Sequence, residues 1–360
     1  MEISKSRSAG LIYGFSPHYI DHLAPLCHLL NIPLIVTNED IEKSLRQFYP
    51  KVQTHYIDYI HLPETVVSSF DLIFTCTPRI LFDEIFFFSQ RFHRKRVQTI
   101  WCPHGNSDKG HASPYMEALD KEDLSLVYGE KMIDFLKEKR AFNNLKNHVR
   151  VSNFRNSYYL ENKDFYDNLV YETILSNLPK SRKNILYAPT WEDTENSSSF
   201  SSSFSYLIKN LPSDFNLIIK PHPNLLTEEN KQNRSLIESH EGKPNILFLI
   251  DFPPIYPLLS IADIYVGDLS SIGYDFLTFN RPMFFLNEQK RNSQIDPGLY
   301  LYKCGVEIHP DGYENIYKTL SKEIPQDAPS FSKIRKETYD YTFGKDIRLT
   351  QLKQDIEAIL

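Results

Sequence analysis

The chain has 360 residues, 41% hydrophobic and 24% charged, with 40 Lys and Arg against 46 Asp and Glu for a net charge of −6. Those values fit a globular protein with more than one core, since single cores rarely grow past roughly 250–300 residues. They argue against a dedicated nucleic-acid binder, and no run approaches the ~18 uninterrupted apolar residues of a membrane-spanning helix.

In the first half, residues 9–15 read as a strand ending near Gly14, and 18–30 as a helix with Ile20, Leu23, Leu26, Cys27 and Leu30 on one face. Strands follow at 32–36, 70–76, 97–101, 124–128 and 148–152, with helices at 39–48, 81–92 and 130–139. Within 81–92, the run Ile85-Phe86-Phe87-Phe88 reads better as a buried helix face than as a membrane-touching patch. Short apolar strands alternating with helices of ten residues or so predict a parallel, helix-flanked sheet.

The segment 153–164 is polar and aromatic without a clear period, and a boundary between two halves is placed within 153–184. A helix is expected over 165–178 and a strand over 184–188, whose exit loop runs from Pro189 to Asp193. The serine run Ser197–Ser203 predicts a flexible surface loop, and 206–211 closes a helix. Strands at 215–220, 246–250, 262–266 and 282–286 alternate with helical stretches at 224–241 (in part), 254–260 and 274–279. Further helices are expected near 313–322 and 349–360. The pattern predicts an α/β fold of two similar halves: residues 1–165, residues 166–345 and a C-terminal helix at 346–360.

Chemistry-bearing residues concentrate just past predicted strand ends, where open parallel sheets bind ligands. His104 lies in a turn of Pro, Gly, Asn, Ser and Asp, with Lys109 five residues on. An imidazole there is suited to taking a proton from a hydroxyl. His222 stands between Pro221 and Pro223, after Lys220, so its backbone is restricted and its ring direction fixed. Together His222 and Lys220 suit phosphate oxygens. Asp268, Ser270 and Ser271 open the last motif helix, where hydroxyls and first-turn N–H groups suit a phosphate; a plain Ser N-cap reads equally well. Gly267 and Gly273 are expected to let backbone approach a ligand.

Other chemistries lack their patterns. There is no GxGxxG fingerprint, P-loop, HExxH or GxSxG. Cys27, Cys76, Cys102 and Cys304 form no CxxC pair, so neither a disulfide framework nor a structural zinc site is expected. The start MEISKSRSAG lacks the apolar stretch of a signal peptide. A cytoplasmic protein is therefore expected, with peripheral contact at the inner face of the membrane left open.

Five stretches, in this order and spacing, resemble the CDP-glycerol glycerophosphotransferase family: His104-Gly105 with Lys109; Asn153-Phe154-Arg155-Asn156; Ile185 to Trp191 (ILYAPTW); Ile219 to Pro223 (IKPHP); and Ala262-Asp263-Ile264 continuing to Asp268 through Phe276 (DLSSIGYDF). The resemblance covers roughly residues 95–290. It implies a GT-B architecture, two Rossmann-like domains facing across a cleft, with the first domain on the acceptor side and the second binding the nucleotide donor. It implies that His104 activates the acceptor hydroxyl, that His222 assists at the donor pyrophosphate, and that Ser270 and Ser271 lie at the donor phosphates. Lys220, Asp268, Arg155 and Lys109 complete the expected donor-binding set, Arg155 matching the arginine of a glycine-tyrosine-proline-arginine turn.

The chain departs from the family around its acceptor-side motifs. Cys102-Pro103 stand between Trp101 and His104, Asn106-Ser107-Asp108 replace a threonine-proline-leucine, and Ser152-Asn153-Phe154 replace glycine-tyrosine-proline. The implied reaction moves glycerol phosphate, or a similar polyol phosphate, from a CDP-activated donor to an acceptor hydroxyl that is lipid-linked or polymeric, in teichoic-acid-type polymer synthesis. No metal ligand set is marked, and assistance by a divalent metal stays open. Two alternatives remain at this stage: a GT-B glycosyltransferase using a nucleotide sugar, and a non-catalytic relative that binds a nucleotide or polymer.

Overall fold

Two all-parallel sheets organise the chain in a computed structural model that describes residues 7–110, 119, 121–192, 195–227, 230–240, 242–345 and 347–359. Residues 1–6 of the N-terminal segment, residue 193 of the exit loop and residue 360 of the last helix lie outside the described residues. The chain divides into two compact units. The first takes its described residues from 1–105, 112–161 and 341–360, and the second from 106–111 and 162–340.

In the first unit the strands are β1 (Ser8–Ile12), β2 (Leu34–Val36), β3 (Thr54–Tyr56), β4 (Leu72–Thr75), β5 (Gln98–Trp101), β6 (Leu124–Val127) and β7 (His148–Arg150). They pair in the order β3-β2-β1-β4-β5-β6-β7. Every residue of β1, β2, β4 and β6 is buried, because helices cover both faces of a parallel sheet. Local chemistry sets the helix ends. Asn38 caps the helix Glu39–Phe48 by accepting from the N–H groups of Asp40 (3.0 Å) and Ile41 (3.2 Å), and Ile41, Leu45 and Phe48 turn inward at helical spacing. Gly10 on β1 has to be small: a Cβ there would come within 2.4 Å of Cys27 Sγ.

The second unit holds β8 (Lys183–Ala188), β9 (Phe215–Ile219), β10 (Ile246–Phe248), β11 (Ile264–Gly267), β12 (Met283–Leu286) and β13 (Val306–Ile308), in the order β10-β9-β8-β11-β12-β13. Its core joins Ile185, Leu217, Val266 and Phe284 of the sheet to Phe200, Phe204 and Leu207 of the helix Phe200–Lys209.

Three expectations are corrected. The serine run does not form an exposed loop. Ser199 and Ser203 are fully buried, and their hydroxyls lie 3.0 and 2.9 Å from the Tyr187 hydroxyl, because Phe200 and Phe204 draw this segment into a core helix. The run Ile85–Phe88 is not one buried face, since adjacent helical residues point about 100° apart. Phe86 is buried and stacked on Phe82, whereas Phe87 and Phe88 are 49% and 70% exposed. The segment 153–164 contains a helix, Phe154–Glu161. All four cysteines are free and buried.

Candidate active-site residues

Chain order reverses across each sheet at one point. In the second sheet it lies between β8 and β11: from β8 the chain builds outward through β9 and β10, then returns to β11 and builds the other way. The loops leaving such neighbours diverge and open a crevice beyond their carboxyl ends. In the second unit most of the expected donor-site residues emerge at the carboxyl ends of β9 and β11, on either side of the β8 exit loop. Thr190 and Trp191 follow β8, Lys220 and His222 follow β9, and Asp268, Ser270 and Ser271 follow β11.

His222 has an extended backbone (φ −65°, ψ 140°), as a residue before proline prefers, and its Nδ1 accepts the N–H of Asn224 at 3.1 Å. A ring whose Nδ1 accepts carries the proton of its neutral form on Nε2, so Nε2 is the donor. Its ring lies 6.2 Å from that of Trp191. Lys109 places Nζ 5.6 Å from the centre of the Trp191 ring and donates to Thr190 Oγ1 at 2.5 Å. Lys220 is half-buried, and its backbone N–H extends the β8–β9 ladder to Tyr187 O.

Asp268 is fully buried, and its carboxylate accepts from Thr190 N (2.7 Å), Ser199 N (2.8 Å) and Ser199 Oγ (2.8 Å). It ties the β8 exit loop to the end of β11. Burial raises its pKa to about 6, against the opposing pull of the Ser199 and Thr190 hydrogen bonds and the Lys109 charge. Ser270 caps the six-residue helix Ser271–Phe276, its Oγ accepting from Ile272 N at 3.4 Å. Gly267 and Gly273 answer a packing need. A Cβ on Gly267 would come within 2.2 Å of the Tyr265 hydroxyl, and one on Gly273 within 2.7 Å of Leu301 Cδ2.

In the first unit the order reverses between β1 and β4, with β5 beside β4. His104 follows β5 and is half-buried, its ring 5.1 Å from Tyr19 and 6.0 Å from His18. Burial lowers the His104 pKa to about 4. Burial, followed by the nearby His104, lowers that of His18 to about 4. Both imidazoles are therefore neutral at pH 7. Arg155 is buried and forms a 2.8 Å ion pair with Asp21, which also accepts the Tyr49 hydroxyl at 2.6 Å.

His104 and Arg155 thus belong to the first unit, and Lys109, Lys220, His222, Asp268, Ser270 and Ser271 to the second. Sequence reasoning passed over His18 and Tyr19 beside His104, and Asp108 beside Lys109. His18 and Tyr19 follow β1 at the reversal point of its sheet, a position visible only once strand order is known. Among the described residues, no group of three or more His, Cys, Asp or Glu is placed to hold a metal ion. No described helix is long and apolar enough to cross a membrane.

A family model described as CDP-Glycerol:Poly(glycerophosphate) glycerophosphotransferase matches residues 103–304. The teichoic acid glycerol-phosphate transferase of Staphylococcus aureus is 26% identical over 155 residues, 41% of this chain and 33% of that protein. The teichoic acid glycerol-phosphate primase of Bacillus spizizenii is 32% identical over 110 residues, 30% of this chain and 26% of that one. These matches span about a third or less of each relative's length. A solved structure of the wall teichoic acid polymerase TagF superposes with a TM-score of 0.67 at 16% identity, covering 98% of this chain and 88% of that one. An S. aureus MnaA–UDP structure gives 0.64 at 13% identity, covering 98% and 96%. At these identities the likeness is one of fold, and it is the GT-B-like α/β fold expected from the sequence.

Proposed function

The chain belongs to the CDP-glycerol:poly(glycerophosphate) glycerophosphotransferase family, and from that premise we propose that it transfers glycerol phosphate, or a similar polyol phosphate, from a CDP-activated donor to an acceptor hydroxyl. The acceptor oxygen attacks the β-phosphorus in line. The new P–O bond forms as the bond to the bridging oxygen breaks, and CMP leaves with that electron pair. His104 takes the acceptor proton, for which its ring has to be neutral, as burial keeps it. In this reading the first unit serves the acceptor and the second the donor.

The observation that carries the reading is the setting of His222. Its Nδ1 accepts the Asn224 N–H, so the neutral ring carries its proton on Nε2, at a strand end beside the reversal of the second sheet, and in this reading that N–H donates to a phosphate oxygen of the donor. Lys109 and Lys220 add positive charge there, and Ser270 and Ser271 add hydroxyls, where charge builds on the departing CMP. Asp268 and Arg155 act through what they hold. Asp268 fixes Thr190, the partner of Lys109, and Arg155 braces the helix that carries Asp21.

The acceptor is read as lipid-linked or polymeric, and peripheral contact with a membrane is supported by the helix Ile80–His93. On it Phe88 and Phe92 are 70% and 84% exposed, with Arg91 and Arg94 also exposed at the same end. The test is titration of the purified protein with CDP-glycerol, CDP-ribitol, and UDP- and GDP-sugars. Selective binding of a CDP-polyol is expected. Selective binding of a nucleotide sugar would move the chain to the glycosyltransferase reading.

A further inference from the structure

The ladder from β4 to β5 runs one residue past the strand, where Cys102 N–H donates to Thr75 O at 2.8 Å. Pro103 comes next and has no N–H, so its carbonyl is the one hydrogen-bonding group its own backbone offers at the entry to His104. Tyr128, just after β6, donates its hydroxyl to that carbonyl at 3.1 Å. The same hydroxyl lies 2.9 Å from Nδ1 of His22. A phenol has one proton, and here it is committed to Pro103. His22 must therefore be the donor, which makes it the Nδ1–H tautomer.

The Tyr128 ring is held on several sides. Phe154 stacks on it (6.4 Å, 12°), Phe343 meets it edge-on (5.8 Å), and the Arg155 guanidinium lies 5.9 Å from its centre. Arg155 pairs with Asp21, the neighbour of His22 in sequence. His22, Tyr128 and Arg155 are all buried. Burial, then the Arg155 charge, keeps the pKa of His22 well below its ordinary value, so the ring stays a neutral, one-proton donor.

We propose that Tyr128 and His22 are positioning residues for His104: the relay His22 Nδ1–H to Tyr128 Oη–H to Pro103 C=O sets the backbone from which the His104 ring projects. It would serve where Cys102-Pro103 separate the strand from the histidine. The proposal rests on reading His104 as the base that receives the acceptor proton.

The test is long-range ¹⁵N–¹H spectroscopy of the full chain with ¹⁵N-labelled histidine, together with kinetics of Tyr128→Phe. In the wild type, His22 is expected as Nδ1–H. Tyr128→Phe keeps the ring packing, so CDP-glycerol affinity should hold within about twofold, while the His104 ring resonances shift. Its kcat should fall roughly tenfold or more at unchanged KM for the donor, the order of loss that misplacement brings. An Nε2–H tautomer at His22 overturns the proposal however the variant folds. So do unchanged His104 resonances in a folded Tyr128→Phe protein. Full turnover by His104→Ala would instead remove the reading of His104 as base, and the spectra would still decide whether Tyr128 and His22 set its ring.

Discussion

Tyr274 donates a 2.5 Å hydrogen bond to Oδ1 of Asp108, joining residues 166 positions apart within the second unit. Oδ2 of the same carboxylate accepts Leu301 N–H at 2.9 Å. Burial, then the Asp108 charge, holds the Tyr274 phenol well above its ordinary pKa, so it remains a donor. This pair anchors the residue before Lys109 and so fixes where that ammonium can reach. Tyr274→Phe removes a hydrogen bond to a buried carboxylate. It should cost about 1–3 kcal/mol in chemical unfolding of the second unit and weaken CDP-glycerol binding. Unaltered stability and affinity would show that Asp108 does not need Tyr274.

His104 and His222 should separate by which step they serve. His104→Ala should lower turnover by about 10²–10⁴-fold, the usual worth of a positioned base, and leave donor affinity unchanged. His222→Ala should weaken donor binding as well as turnover. Titration calorimetry with CDP-glycerol beside steady-state CMP release distinguishes the two patterns. The same loss of donor binding in both variants would contradict the division of roles.

The pH dependence follows from the same burial. A base with a pKa of about 4 is neutral far below the 6.5 of a free histidine, so the acid limb of kcat/KM should fall well under pH 6.5. For stability the sign is that of a lowered folded pKa. The unfolded state takes up protons first as pH falls, so the contribution of His104 and His18 is fully present above about 6.5 and is lost as pH falls toward about 4. An acid limb at or above pH 6.5 would rule out a buried His104 as the base.

Asp268 carries the opposite sign. Its folded pKa of about 6 lies above the ordinary carboxylate value, so its contribution is greatest at low pH and declines as pH rises to about 6. Asp268→Asn cannot titrate, and its amide nitrogen would face the N–H donors of Thr190 and Ser199, at a cost of about 1–3 kcal/mol. The stability advantage of the wild type over this variant should therefore shrink between pH 4 and 6 and level off above. Thermal unfolding across that range checks it, and an advantage that grows with pH would reverse the assignment.

Phe88 and Phe92 are too exposed to matter much for the core. Replacing both by Ser should leave unfolding within about 0.5 kcal/mol of wild type, as surface changes usually do. The same change should reduce co-sedimentation with vesicles rich in anionic lipid. Undiminished co-sedimentation would remove this helix from the membrane reading.

What the sequence revealed and what it concealed divide along physical lines. The central strands were legible because both faces are buried and their residues are continuously apolar, as in Leu72–Thr75 and Met283–Leu286. Two of the edge strands, Thr54–Tyr56 and Val306–Ile308, were not: each is three residues long and incompletely buried, with a polar residue (His55, Glu307) at its centre. The strand-end placement of His104, His222 and Asp268 followed from turn chemistry alone. The company they keep did not: His18 beside His104 depends on strand order, and Asp108 on Tyr274 depends on a contact across 166 residues. The serine run misled because composition predicts exposure, whereas Phe200 and Phe204 pull Ser199 into the core, where it caps Asp268.

The most direct measurement is the mass of the acceptor after incubation with CDP-glycerol, taken alongside the CMP released. The account predicts that the acceptor gains glycerol phosphate units in one-to-one proportion to CMP, and that His104→Ala slows both by about 10²–10⁴-fold. An acceptor left unchanged by CDP-glycerol but extended by a sugar from a nucleotide sugar would contradict it.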